Sequence, residues 1–274
     1  MKTQNYPVQK RTRIPFLMLL LFVFAQTVSF AQTAPTVYAL VTFQKIEAGN
    51  GAEFEKIMKD NWKPLHQLRK QNGKITSWTL YRVLMTGASN EYNYVTVMYC
   101  DSFAKTEPND NYLELMKAAN PQGDAAAIMA KTQNLRSIQR QALYSRIDFT
   151  TAKAGAPATK YVNIGFMKSK AGQDANYVKM EKETFKKLHQ SMVDDGKLNG
   201  WGFWRLEMPS GTSNDHDYVT SNVYSAYEQM GTVDYEGVFK KTFPGKDIQP
   251  VIDETLKTRD IVKGDLWEFV MTLN

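Results

Sequence analysis

Gly73-Lys74-Ile75-Thr76-Ser77-Trp78-Thr79-Leu80-Tyr81-Arg82 is answered 123 positions later by Gly196-Lys197-Leu198-Asn199-Gly200-Trp201-Gly202-Phe203-Trp204-Arg205. Glycine, lysine, tryptophan and arginine coincide, and the match continues outward. Ala48-Gly49, Lys56, Leu65-His66-Gln67, Met85, Arg136, Ile138 and Leu143 return as Ala171-Gly172, Lys179, Leu188-His189-Gln190, Met208, Arg259, Ile261 and Leu266. A repeat of this kind fixes the domain plan before any element is assigned, because the chain supplies its own two-row alignment.

In the first copy, Val37 to Phe43 is rich in β-branched and aromatic residues and reads as a strand. Phe54, Ile57, Met58, Asn61, Leu65 and Leu68 then form one stripe on a 3.6-residue period, a helix that Gly73 stops. Ile75 to Leu84 and Tyr92 to Cys100 read as a hairpin. A helical region over about Asp110 to Thr132 is broken by Pro121 and Gly123, and Arg136 to Phe149 is the last strand. The second copy repeats the plan, with strand Tyr161 to Lys168, helix Gln173 to Asp195, hairpin Leu198 to Glu207 and Asp215 to Tyr224, broken helices over about Ala226 to Lys257, and strand Arg259 to Met271. The order β-α-β-β-α-β is the ferredoxin-like unit, whose helices cover one face of the sheet and leave the other to find a partner. The expected architecture is α+β, two tandem units at 32–149 and 160–274, with a small, polar linker at 150–159.

Residues 1–31 read as a signal peptide. Lys2, Lys10, Arg11 and Arg13 precede a 12-residue apolar run from Ile14 to Ala25, and Ser29 and Ala31 suit cleavage before Gln32. The run is short of the about 20 residues a spanning helix needs. The expectation is therefore an exported, periplasmic or secreted protein with no stable membrane insertion after cleavage. Four of the 34 Lys and Arg lie in this segment and none of the 28 Asp and Glu does, so the remainder is close to neutral. That balance argues against a nucleic-acid partner. Cys100 is the single cysteine; it cannot form an intrachain disulfide, and its strand setting reads as a buried small hydrophobe.

Two such units in one chain, with a turn after the first strand, an aromatic-bearing helix and the Gly-Lys entry to the second strand, resemble the dimeric α/β-barrel superfamily in fused form, closest to its NIPSNAP-like and antibiotic-biosynthesis-monooxygenase-like members. The resemblance implies that the two sheets close into one pseudo-symmetric barrel, and that ligands sit between a sheet and its helices. It also brings two enzyme alternatives, a cofactor-independent monooxygenase and a haem-dependent oxidoreductase, and it makes homo-oligomers or a structural oligomerising role natural.

The residues themselves name no reaction. No phosphate loop, nucleophile elbow or zinc spacing occurs, so no catalytic residue, metal or cofactor is assigned, and haem is admitted only through the resemblance. His66 and His189 are equivalent, each at the flank of its helix stripe; they read as interfacial histidines hydrogen-bonded to backbone or to the neighbouring half, with haem or metal ligation as the functional alternative. Arg82 and Arg205 share a strand face with Trp78 and Trp201, either stacking on them or serving as cationic contacts in a pocket. Trp201, Phe203 and Trp204, with Gly200 and Gly202 among them, suggest an aromatic-lined cavity in the second half, since a strand glycine can mark the close approach of a ligand. Asp215-His216-Asp217 reads as a solvated loop. The function expected from these residues is binding of a small apolar or aromatic molecule.

Overall fold

The computed structural model describes residues 36–87, 90–231 and 233–273, so the leader expected at 1–31 lies outside the described residues. The first unit runs β1 (Tyr38–Ile46), α1 (Gly51–Ile57), a π-helical turn (Met58–Trp62), α2 (Lys63–Gln71), β2 (Ser77–Leu84), β3 (Tyr94–Cys100), α3 (Tyr112–Ala119), α4 (Ala125–Leu135) and β4 (Arg136–Phe149). The second runs β5 (Tyr161–Ser169), α5 (Asp174–Met180), a π-helical turn (Glu181–Phe185), α6 (Lys186–Asp194), β6 (Gly200–Met208), β7 (Tyr218–Tyr224), α7 (Glu228–Gly231), α8 (Tyr235–Thr242), α9 (Gln249–Thr258) and β8 (Arg259–Thr272). Gly73 and Gly196, at φ 66° and 72°, end α2 and α6 in the left-handed conformation that a side chain would resist.

The strands close into a barrel in the order β1-β3-β2-β8-β5-β7-β6-β4. The two long terminal strands make the closure. β4 pairs with β1 over Arg136–Ser145 and with β6 over Leu143–Phe149, while β8 pairs with β5 and then with β2. Every neighbour is antiparallel, so β1 and β5 run the same way and equivalent residues of the two halves lie at the same end of the barrel. Closure within one chain leaves no free sheet edge for another copy to extend. Among the described residues, no helix is long and apolar enough to cross a membrane.

Strand alternation divides the buried apolar side chains into three bodies. One lies between the first sheet and its helices, around Phe54, Leu65, Trp78 and Leu80. Another lies between the second sheet and its helices, around Tyr177, Trp201 and Phe203. The third lines the barrel interior, with Phe43, Tyr81, Phe166 and Trp267. Cys100 is fully buried in the first of these, and burial pushes its thiol up.

The first long helix departs from the expected stripe from its π turn onward, whereas in the second Tyr177, Met180, Leu188 and Met192 are buried as the stripe predicts and only Thr184 is half-buried. A π turn takes one residue more than an α turn, so after it the residue one position further along joins the buried face, while Leu65, Leu188 and Met192 keep their places in it. Trp62 is buried where the stripe predicts Asn61, and Arg69 where it predicts Leu68. The same shift carries His66 and His189 from the flank into full burial.

Candidate functional site

The residues singled out in the second half do not share a cavity. Trp201 and Phe203 face the helices, fully buried in a ladder in which His189 lies flat on Trp201 (5.2 Å, 11°) and Phe203 stacks on Tyr218 (5.2 Å). Trp204 points the other way, into the barrel. Gly202 makes room for a neighbouring side chain rather than for a ligand: a Cβ there would meet Trp204 Nε1 at 2.8 Å and Ser221 Oγ at 2.9 Å. The helix-side cavity of the second half, about 300 Å³, opens among α6, α8 and α9 and is bordered by Phe185, Phe239 and Arg259, not by Trp201 or His189.

Nor do the paired arginines stack on their tryptophans. Residues four apart on a strand are separated by roughly 13 Å, and Arg82 instead donates to Glu55 (2.5 Å) and Glu268 (3.1 Å) on the surface. Arg205 donates to the Tyr218 hydroxyl (3.3 Å) and lies 5.6 Å over its ring.

The open space on a helix-covered sheet face near the repeated histidines lies in the first half. A cavity of about 290 Å³ is bordered by Met58 and Trp62 from the π turn, His66 from α2, Trp78 and Met98 from the sheet, Tyr112 from α3, and Arg136 and Gln141 from β4. Trp62 is anchored by its Nε1, which donates to Thr132 Oγ1 (2.9 Å). His66 stacks on Trp78 (4.8 Å, 17°), and burial, then the charges of Arg69 and Arg136, push its imidazole down to about 3, so it is neutral at physiological pH. His189 is likewise held down at about 4 by burial, while its Nδ1 donates to the Phe185 carbonyl at 2.7 Å, the backbone bond expected of it.

Two guanidinium groups border or approach this cavity, and they differ. Arg69 is compensated by an ion pair to Asp110 and by the Tyr112 ring. Arg136 donates to Gln44 Oε1 (2.7 Å) and lies 5.3 Å from the Trp62 ring, but among the described residues no carboxylate reaches it, and burial lowers its pKa. The repeat sharpens the point. Arg259 is its equivalent, and there position 181 is a buried glutamate where the first half has Met58. Burial raises the Glu181 carboxyl to about 7, while Tyr177 and Arg259 pull it back. The second half thus carries an internal acid near its arginine, and the first half has a thioether in that place.

Arg136 is absent from the residues the sequence pointed to as a site, although it belongs to the repeat. The available signal was the unequal partner, Met58 against Glu181, at equivalent positions of the helix. His216 was also misjudged. It is buried, donates from Nδ1 to Asp215 Oδ1 (2.5 Å) and accepts at Nε2 from the Tyr144 hydroxyl (2.9 Å). Alternation sends Asp215 and Asp217 outward and His216 into the end of the barrel, at the place held by Tyr92 in the first half. Tyr92 correspondingly donates to Asp265 (2.5 Å).

Neither repeated histidine is arranged as an axial haem ligand. His189 lies outside the walls of the cavities described above. His66 has cationic neighbours and, among the described residues, no carboxylate or carbonyl that would orient it as a ligand. The cavity also stands at the floor of the roughly 300–1,000 Å³ range of drug-sized ligand pockets, too small for a tetrapyrrole. No group of three or more His, Cys, Asp or Glu among the described residues is placed to hold a metal ion.

No family model matches the chain, and no curated protein matches it. Solved structures do. A provisionally named monooxygenase from Fusobacterium nucleatum superposes with a TM-score of 0.54 at 8% identity, over 88% of this chain and 95% of its own. A chlorite dismutase variant from Candidatus Nitrospira defluvii gives 0.48 at 11% identity, over 86% and 91%. A haem-binding protein from Thermus thermophilus gives 0.45 at 10%, over 87% and 93%. At such identities the likeness concerns the fold, a dimeric α/β barrel fused into one chain, and carries no activity with it.

Proposed function

We propose that the chain is an exported protein that binds a small aromatic or otherwise apolar molecule carrying one negative charge, in the helix-covered cavity of the first half. Export rests on the charged and apolar leader of the sequence. The observation that carries the binding site is Arg136, a half-buried cation on the wall of the cavity and without a carboxylate partner among the described residues. A charge held partly out of water without a counter-ion is disfavoured, and a ligand carboxylate or phenolate on Arg136 offsets that through a charge-assisted hydrogen bond. Trp62, Trp78 and Tyr112 supply the aromatic walls for its body. The proposal is for binding; the monooxygenase and haem alternatives draw support only from resemblance.

Titration calorimetry with cinnamate and with cinnamamide tests it. The acid should bind at least tenfold more tightly than the amide, and Arg136→Met should abolish that preference, since a hydrogen bond to a charged group contributes about 1.5–3 kcal/mol. Equal affinity for acid and amide, or an acid preference that survives Arg136→Met, would sink the idea.

A further inference from the structure

We infer that the barrel interior is a second, separate binding site, for a neutral compact aromatic molecule of one or two fused rings. An eight-stranded barrel has an interior just wide enough to be filled by side chains or to hold one small ligand. Here the side chains do not fill it. A cavity of about 230 Å³ remains, walled by Val41, Val97, Ile164, Tyr81, Trp204 and Trp267 among others. Protein interiors pack like organic crystals, so a void of this size is a departure from the rule. A 150 Å³ apolar cavity holds benzene, which scales to roughly nine or ten non-hydrogen atoms here.

The chemical class follows from where the polar atoms of the wall point. Trp267 Nε1 donates to Asp265 (3.3 Å), Trp204 Nε1 to Ser221 Oγ (3.3 Å), and the Tyr144 hydroxyl to His216. These aromatic groups therefore keep their N–H and O–H for protein partners and offer the cavity ring surface, which suits an apolar body with no charge to satisfy.

The two ends of the barrel differ. Where β1 and β5 end, Phe43, Phe166, Tyr92 and His216 are all buried, and Arg140 lies 4.3 Å over the Phe43 ring. Where β1 and β5 begin, Tyr99, Trp204, Val223, Phe269 and Thr159 are half-buried, so this end is the mouth. Electrostatically the site is unlike the Arg136 cavity, and the two do not share a wall residue.

Nitrobenzene, a neutral quencher of tryptophan emission, tests the inference on the whole protein. Of the five tryptophans, Trp204 and Trp267 face this cavity, whereas Trp62 and Trp78 border the other. Quenching should saturate at one site per chain, lose its saturable part in the Trp204→Phe/Trp267→Phe double variant, and persist in Trp62→Phe and Arg136→Met. Val97→Phe, which fills the void, should weaken binding at least tenfold with the circular-dichroism spectrum unchanged; Ile164→Phe serves if Val97→Phe does not fold. Quenching that never saturates, or that is lost with Trp62→Phe instead, overturns the assignment. Because Arg136→Met leaves this readout intact, failure here and failure of the anion site are separate results.

Discussion

Glu181 offers a direct measurement of the charge asymmetry on which the functional reading stands. Its carboxyl is 3% exposed, and burial holds it at about 7 against an ordinary value of 4.5. A carboxyl whose folded pKa is raised keeps its proton in the folded state while the unfolded state gives it up. Its contribution is therefore fully present below about 4.5 and lost as pH rises to about 7. A shift of that size corresponds to about 3 kcal/mol, at about 1.4 kcal/mol per unit. Urea unfolding of the wild type and Glu181→Gln at pH 4 and pH 8 measures it, with the difference between the two proteins cancelling the opposite slopes of His66 and His189. The wild type should lose about 3 kcal/mol relative to the variant between these pH values. A difference that stays flat, or that runs the other way, would mean that Arg259 pairs with Glu181 as an ordinary ion pair. The raised carboxyl would then be refuted, while Arg136, which has no carboxylate partner among the described residues, would contrast with Arg259 as an unpaired arginine against a paired one.

Two further perturbations probe the scaffold. Asp110→Asn leaves the Arg69 guanidinium, 3% exposed, without its carboxylate; unfolding stability should fall by about 3 kcal/mol, and a loss under 0.5 kcal/mol would mark the pair as a surface bridge. Gly202→Ala forces a Cβ to within 2.8 Å of Trp204 Nε1. It should cost about 1–3 kcal/mol and shift tryptophan emission, and an unchanged spectrum would show that Trp204 does not lie across the glycine.

The fold was legible because its signals are periodic and occur twice. Strand alternation, the glycine after α2 and α6, and the proline and glycine between α3 and α4 all act locally. The site was less legible because one π turn extends the buried face by a single residue, and no periodicity announces it. Thus Trp62 and Arg69 were hidden behind Asn61 and Leu68. The cluster around Trp201 failed for a different reason: consecutive strand residues point to opposite faces, so Phe203 and Trp204 cannot line one cavity whatever their chemistry. His216 was misjudged as part of a polar loop because its neighbours are acidic, whereas its equivalence to Tyr92 marks an inward position.

π turns often accompany functional sites, yet this chain has one in each half, at equivalent positions. Their presence therefore belongs to the scaffold, and the distinction between the halves must come from the residues they present. In the second half the turn presents Glu181 and Phe185, the sheet opposite carries the stacked Trp201, Phe203 and Tyr218, and the cavity lies away from them among α6, α8 and α9. In the first half the turn presents Met58 and Trp62, and the sheet carries Leu80 where Phe203 stands, with Gln44 holding the arginine by a neutral bond. Exchanging an acid for a thioether leaves the fold intact, because both side chains are long, unbranched and able to lie along the sheet. It changes the electrostatics, because the arginine that remains has no titratable acid beside it among the described residues. A duplicated barrel can in this way keep its scaffold in both halves while one of them acquires a charge that only a ligand answers.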